Sequence, residues 1–372
     1  MRVVESVLLA GGGTAGHVNP LLAVADELTR RDGTIRVTVL GTAEGLEAEL
    51  VPARGYPMVI VPRAPLPRRP TPDWFRLPGR LRRAVRTARD AIRSSGAGVV
   101  VGFGGYVSVP AYLAARRLGV PVVIHEQNAR PGLANRWGAR WASAVAVTFP
   151  GTPLPGARVT GLPLRPQIAE LIRARAADPV AARRAGAAAL GLDPDLTTLL
   201  VTGGSLGALR LNTTVTARAA DLVAAGVQVL HLTGAGKDDA VRSAVAGLPD
   251  GPGSYHVLAY LAEMQHALAA ADLVVARAGA GTVAELTALG QPAVYVPLPI
   301  GNGEQRRNAA PAVAAGGGLM VRDADFTPEW VGANLLPLLA EPDRRAAMAA
   351  AAASVGVHDG AARVADLIQE LA

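Results

Sequence analysis

The sequence predicts two doubly wound α/β domains, each a parallel sheet with helices on both faces. Three observations carry this. The length of 372 residues suits two domains. Short apolar runs alternate with helix-like segments along the whole chain. One local pattern, an apolar strand running into a glycine turn that opens a helix, is written twice: LLAGGGTAGH at 8–17 and LLVTGGSLGA at 199–208. A glycine turn lets backbone N–H groups approach an anion, and the helix behind it adds the positive end of its dipole. Each half is therefore expected to face a phosphate.

Taken in order, residues 7–10, 37–40, 99–101, 120–124 and 144–148 read as short buried parallel strands. Helices near 18–30, 81–93 and 106–118 alternate with them. The segment from Pro150 to Pro166 is dense in proline and glycine, and 159–165 looks like an extended linker. A boundary near Leu162 follows, giving domains of 1–162 and 163–355. An alanine-rich helix at about 167–189 precedes strands at 198–201, 227–230, 273–276 and 293–296. Open α/β sheets bind ligands at the carboxyl ends of their strands, so the glycine turns of both halves are expected to line one central cleft.

Half the residues are hydrophobic, enough for a full core in each domain and incompatible with a disordered chain. Cysteine is absent, which removes disulfides, thiol catalysis and thiolate metal sites and fits a reducing compartment. MRVVESVLLA carries Glu5 in its apolar stretch and leads into a glycine turn, so it does not read as a signal peptide. The longest charge-free run, 94–115, holds five glycines and Pro110 and parses as strand, turn and helix, so no transmembrane helix is expected.

The net charge is +7, carried almost entirely by arginine, with Lys237 the only lysine. Ten arginines fall between Arg63 and Arg93 against two acids, with Trp74, Phe75 and Leu77 among them. Over 80–93, Leu81, Val85, Ala88 and Ile92 form one helical stripe opposite the arginines. Two readings stand: a core-packed helix with a solvated basic face, or adhesion to an anionic membrane surface with the aromatic residues in the interface. No helix-turn-helix, zinc-finger or aromatic RNP signature accompanies the charge, which argues against a nucleic-acid partner.

GGGTAG at 11–16 formally matches GxGxxG, but the strand RVTVLGT ends in Gly41 and Thr42 instead of the acid that a dinucleotide ribose requires. A dehydrogenase is disfavoured. His17 follows the turn, either as a helix cap or as a neutral imidazole held available as a base by the helix N-terminus. HEQN at 125–128 ends an apolar strand, where Glu126 is either a structural partner for an arginine or a catalytic group and Asn128 suits a sugar or phosphate. Arg165, in GLPLR, is placed to close on a diphosphate. Ser205 adds a hydroxyl beside the second turn. Thr282 and Glu285 in RAGAGTVAEL have capping-box spacing, and Glu285 alternatively reaches ribose hydroxyls. Glu304 and Gln305 in NGEQRRN are placed to read sugar hydroxyls. DxD-like pairs at Asp193/Asp195 and Asp323/Asp325 look like a turn and a surface loop, so no metal site is expected.

GGGTAGH, HEQN, the GxPxR linker, GGSxGA, RAGAxTxxE and the late EQxxN, in this order over nearly the whole chain, resemble the MurG family of N-acetylglucosaminyltransferases. The resemblance implies a GT-B glycosyltransferase whose final helix, about 356–372, returns to the first domain. That domain would handle acceptor and membrane, and 163–355 the donor. It implies inverting transfer of GlcNAc from UDP-GlcNAc to the C4 hydroxyl of the muramyl sugar of lipid I, making lipid II for peptidoglycan. The resemblance assigns Thr14, Ala15 and Gly16 to the turn near the transferred sugar, with His17, Glu126 and Asn128 as catalytic candidates. Arg165 and Ser205 would meet the donor phosphates, and Leu261 would present backbone groups to uracil. Ala280, Gly281, Thr282, Val283, Ala284 and Glu285 would hold phosphate and ribose, and Gln305 the GlcNAc. Gly13, Gly104, Gly105, Tyr106, Trp74, Phe75, Arg80 and Arg83 would face acceptor and membrane. No cofactor is implied, since UDP-GlcNAc is a co-substrate. The implied partners are undecaprenyl-linked lipid I, an anionic membrane surface at its cytoplasmic face and other cell-wall enzymes. Ala15, Leu162, Leu206 and Glu304 depart from the family's usual Gly, Asn, Gln and Gln.

Overall fold

The computed structural model describes residues 4–63, 73–204 and 207–371. The chain forms two compact units. The first runs to Arg165 and takes back the chain from Asp359, and the second is Pro166–His358.

The first unit holds a seven-stranded parallel sheet built from β1 Ser6–Ala10, β2 Arg36–Gly41, β3 Met58–Ile60, β4 Val99–Gly102, β5 Val122–Glu126, β6 Ala144–Val147 and β7 Ala157–Val159. Their order is β3-β2-β1-β4-β5-β6-β7. The central strands are apolar on both faces because helices cover both, and every residue of β1, SVLLA, is buried. The strand order reverses between β1 and β4, whose ends are level, Ala10 opposite Gly102. This switch point opens a crevice at the carboxyl ends of the strands, and the first glycine turn leaves β1 there while Phe103–Tyr106 leaves β4.

The helix Asp73–Ser95 packs Ala84, Val85, Ala88 and Ile92 into the core beneath the sheet. Arg82, Arg83, Arg86 and Arg93 are exposed, so the apolar stripe read from the sequence is the buried face. Arg80 is half-buried. The side chains of Trp74 and Phe75 lie outside the described residues.

The last helix, Gly360–Gln369, buries Val364, Ala365, Leu367 and Ile368 in the other core layer of the same unit. Arg31, at the end of the helix Ala15–Arg31, fastens it. Its guanidinium donates to Asp366 Oδ1 at 2.6 Å, Gln369 Oε1 at 2.9 Å and the Ala362 carbonyl at 2.9 Å, while Nε donates to Glu27 at 2.7 Å. The ion pairs are partly solvated and each is worth little, but the set shares one rigid fork. Arg31→Ala is expected to cost about 1–2 kcal/mol in urea unfolding, chiefly from the buried end of this fork.

The second unit repeats the plan with six parallel strands, β8 Thr197–Thr202, β9 Val227–Leu232, β10 Ser254–Leu258, β11 Leu273–Ala276, β12 Ala293–Tyr295 and β13 Gly318–Met320. Their order is β10-β9-β8-β11-β12-β13, so the switch point falls between β8 and β11. The second glycine turn follows β8 and RAGAGT follows β11.

Four strands escape the sequence reading: β3, β7, β10 and β13, all at sheet edges. Edge strands are half-buried and lack the continuous apolar run that marks the centre. β7 lies within the proline- and glycine-dense segment and ends where the stretch expected as extended linker, 159–165, begins. The helix expected at 167–189 is two helices, Pro166–Ala177 and Pro179–Ala189. Pro179 disfavours helical backbone at Asp178, whose side chain instead caps the second helix by accepting from Ala181 N at 2.9 Å.

Candidate active site

In the first unit, two glycine turns meet at the switch point. Gly104 and Gly105 have φ of +90° and +77°, conformations that favour glycine, and a Cβ on Gly105 would lie 2.9 Å from the Gly12 carbonyl. A Cβ on Gly104 would stand 3.3 Å from both His17 Nε2 and Asn135 Nδ2. Gly13, at φ +91°, faces the Tyr106 ring. The structure thus gathers Gly13, His17, Gly104, Gly105 and Tyr106 into one place. Thr14, the N-cap of its helix, and Ala15 and Gly16 in the first turn are exposed beside it.

His17 is half-buried, with Thr14 Oγ1 3.0 Å from its Nδ1. Burial lowers its pKa, and the Gly12 backbone and the Glu47 charge oppose that only in part. Its imidazole is therefore neutral at pH 7, the form in which it accepts a proton.

Glu126, at the end of β5, is buried and its carboxylate is occupied. It accepts from Asn128 N at 2.9 Å, Gly132 N at 3.0 Å and Asn135 Nδ2 at 2.9 Å. Burial pushes its pKa up, and these donors pull it only partly back. These partners are amides, where one of the two readings from sequence had an arginine. Asn135 in turn accepts from Tyr112 OH at 2.8 Å, so Glu126 fixes the loop that carries Asn128. Neighbouring His125 is buried, with Nε2 3.0 Å from the Gly161 carbonyl, and burial lowers its pKa to about 4. Arg165 is half-buried at the end of this unit.

In the second unit, the turn after β8 is tight at Gly207, with φ +65°, where any Cβ would fall on the Thr233 carbonyl. Ser205 and Leu206 lie outside the described residues. The helix Ala280–Ala288 starts behind Gly279, which is its N-cap. Thr282 is thus inside the first turn and does not form the capping box that its spacing with Glu285 suggests. Gly281 faces open space, Thr282 and Glu285 are half-buried, and Val283 and Ala284 turn into the core. The side-chain oxygen Oε1 of Gln305 accepts from Ala278 N at 3.1 Å and Leu298 N at 2.9 Å, binding the loop before this helix to the loop after β12. Leu261 is half-buried in the turn after β10, and Glu304 opens the helix Glu304–Ala314.

The sequence reading missed Arg277 and Glu47. Arg277, at the end of β11, pairs with Asp323 at 2.6 Å and donates to the Val296 carbonyl at 3.0 Å. Asp323 is therefore anchored to a half-buried arginine and is not a free surface residue. A lone arginine ending the apolar run LVVA was the available signal, since a buried charge needs a partner. Asp193 caps a turn by accepting from Asp195 N at 2.8 Å. Among the described residues no cluster of three metal-ligating side chains occurs.

Residues 7–147 match the Glycosyltransferase family 28 N-terminal domain and residues 198–364 the Glycosyltransferase family 28 C-terminal domain. The chain belongs to glycosyltransferase family 28. A relative from Leifsonia xyli subsp. xyli, the "UDP-N-acetylglucosamine--N-acetylmuramyl-(pentapeptide) pyrophosphoryl-undecaprenol N-acetylglucosamine transferase", is 59% identical over 98% of each chain. A protein of the same name from Streptomyces avermitilis is 54% identical over 95% of this chain and 94% of its own. The crystal structure of Acinetobacter baumannii MurG is 30% identical, with a TM-score of 0.78 over 98% of this chain and 99% of that one. The fold class is accordingly GT-B, with two Rossmann-like domains. As a family 28 protein, it carries its glycine turns in the domains that the two matches delimit.

Proposed function

We propose that this protein transfers GlcNAc from UDP-GlcNAc to the C4 hydroxyl of the muramyl sugar of lipid I, giving lipid II and UDP for peptidoglycan synthesis. The observation that carries this is identity above 50%, over nearly the full length of both chains, to relatives that bear this activity in their names. The acceptor is assigned to the first unit, with Thr14, Ala15, Gly16, Gly104, Gly105 and Tyr106 around its sugar and diphosphate and Gly13 shaping the turn that carries them. The donor is assigned to the second unit and to Arg165. Ser205 and the helix opening at Ala280 take the phosphates, Glu285 the ribose, Leu261 the uracil and Gln305 the GlcNAc.

In this reading the reaction is a single displacement. The C4 oxygen forms its bond to the anomeric carbon as the bond to UDP breaks, which inverts that carbon. The hydroxyl proton passes to His17, and the leaving charge stays on the diphosphate, stabilised by Arg165 and backbone amides. Asn128 contacts the sugar, and Glu126 is a positioning residue for Asn128.

Glu285→Gln keeps the shape but loses the charge that binds a diol. UDP-GlcNAc affinity is expected to fall about 10- to 100-fold, with melting unchanged, as read by calorimetry and thermal unfolding.

The lipid acceptor requires a membrane, and among the described residues no helix is long and apolar enough to cross one. The basic face of Asp73–Ser95, with Arg80 and Arg83, is assigned to peripheral contact with anionic headgroups on the cytoplasmic side.

The test is incubation of labelled UDP-GlcNAc with a lipid I analogue. Disaccharide lipid and UDP are expected in equal amounts, and only with acceptor present. Conversion of UDP-GlcNAc to another sugar nucleotide without acceptor indicates an epimerase and defeats the proposal.

A further inference from the structure

The residue that governs the first glycine turn lies 34 positions away in sequence. Glu47 opens the short helix Glu47–Ala53 and is wholly buried. Its Oε2 accepts from Gly13 N at 2.8 Å. Its Oε1 accepts from Thr42 N at 3.0 Å and Thr42 Oγ1 at 2.7 Å. Thr42 Oγ1 continues to Tyr106 OH at 3.2 Å, and the Arg63 guanidinium lies over the Tyr106 ring, 5.6 Å from its centre. Three glycines make room: a Cβ on Gly12 or Gly45 would overlap the Glu47 carboxylate, and one on Gly41 would overlap its stem. Space kept clear from three separate points in the sequence marks a built cradle.

We propose that Glu47 is the positioning residue of the acceptor half: its carboxylate is the resident anion of the first glycine turn, holding Gly13 and so aiming Thr14 and His17. The two glycine turns, alike in sequence, then differ in use. An amide already bonded to a buried carboxylate does not serve a phosphate, and the negative charge behind it disfavours one at that point. This reading departs, at the Gly13 amide, from the expectation that each half faces a phosphate through its glycine turn. Burial raises the pKa of Glu47, but the Gly13 and Thr42 donors outweigh it, so the group stays ionised.

This proposal rests on the transfer activity proposed above, and deepens it. In Glu47→Gln an NH₂ group replaces one acceptor and opposes a donor, so the turn loses either Gly13 or Thr42. With labelled UDP-GlcNAc and a lipid I analogue, kcat is expected to fall about ten- to hundredfold, with the KM for UDP-GlcNAc within about twofold of the original. Thr42→Val, which retains the carboxylate, is expected to show the same split with a smaller loss, about threefold. In the unaltered protein, hydrogen exchange at the amide of Gly13, an exposed residue, is expected to be at least about a hundredfold slower than in an unstructured chain.

Unchanged kcat in a folded Glu47→Gln protein, a raised donor KM, or fast exchange at Gly13 overturns the proposal. If Glu47→Gln does not fold, Thr42→Val and the exchange rate decide. Absence of transfer by the unaltered protein defeats the activity reading instead, and leaves the exchange measurement to judge the Glu47 contact.

Discussion

His17→Ala is expected to lower kcat by about 10²- to 10⁴-fold, the usual contribution of a positioned general base, while UDP-GlcNAc affinity stays unchanged. The structural grounds are specific. The ring is half-buried at the switch point, between Thr14 Oγ1 and the Gly104 backbone, and burial holds it neutral at pH 7. Its assignment to proton transfer, and not to holding the donor, predicts a loss in turnover without a loss in donor binding. Steady-state kinetics with both substrates and a calorimetric titration of UDP-GlcNAc provide the check. Full turnover in His17→Ala reduces the residue to a partner for Thr14 and requires a base elsewhere.

Glu126→Ala is expected to destabilise the protein by about 3–5 kcal/mol in chemical unfolding. It strands donors from Asn128, Gly132 and Asn135, and an unsatisfied buried donor costs about 1–3 kcal/mol. Glu126→Gln keeps one acceptor oxygen and the size of the side chain, so its loss is expected to be about half as large. Because Glu126 is assigned to positioning and not to proton transfer, the acid limb of the pH–rate profile is expected to stay where it is in Glu126→Gln. Loss of that limb with the fold intact contradicts the assignment and makes Glu126 the proton acceptor.

The central strands and the places of the glycine turns were legible because buried parallel strands are continuous apolar runs and glycine punctuates them. β1 is SVLLA with no exposed residue, and β11 is LVVA followed at once by RAGAGT. β3 and β7, at the two edges of the first sheet, have three residues each and little burial, so they carry no such signature. The break at Asp178 was visible in the dipeptide Asp-Pro, but the alanine-rich composition on both sides obscured it. The candidate site was legible where chemistry follows a strand end, as at His17 and Glu126. It was not legible where a tertiary contact decides the role. Nothing local distinguishes Glu47 from other acids in EGLEAEL, since its meaning comes from Gly13 and Thr42. Likewise Thr282 and Glu285 have the spacing of a capping box, yet Gly279 begins the helix.

The proposed reaction requires this chain to grip a uridine diphosphate sugar through its second unit. Calorimetric titration of UDP into the intact protein tests it most directly. Saturable heat with one site per chain is predicted, unchanged in His17→Ala and weakened in Glu285→Gln. A folded protein that gives no heat with UDP or with UDP-GlcNAc contradicts it.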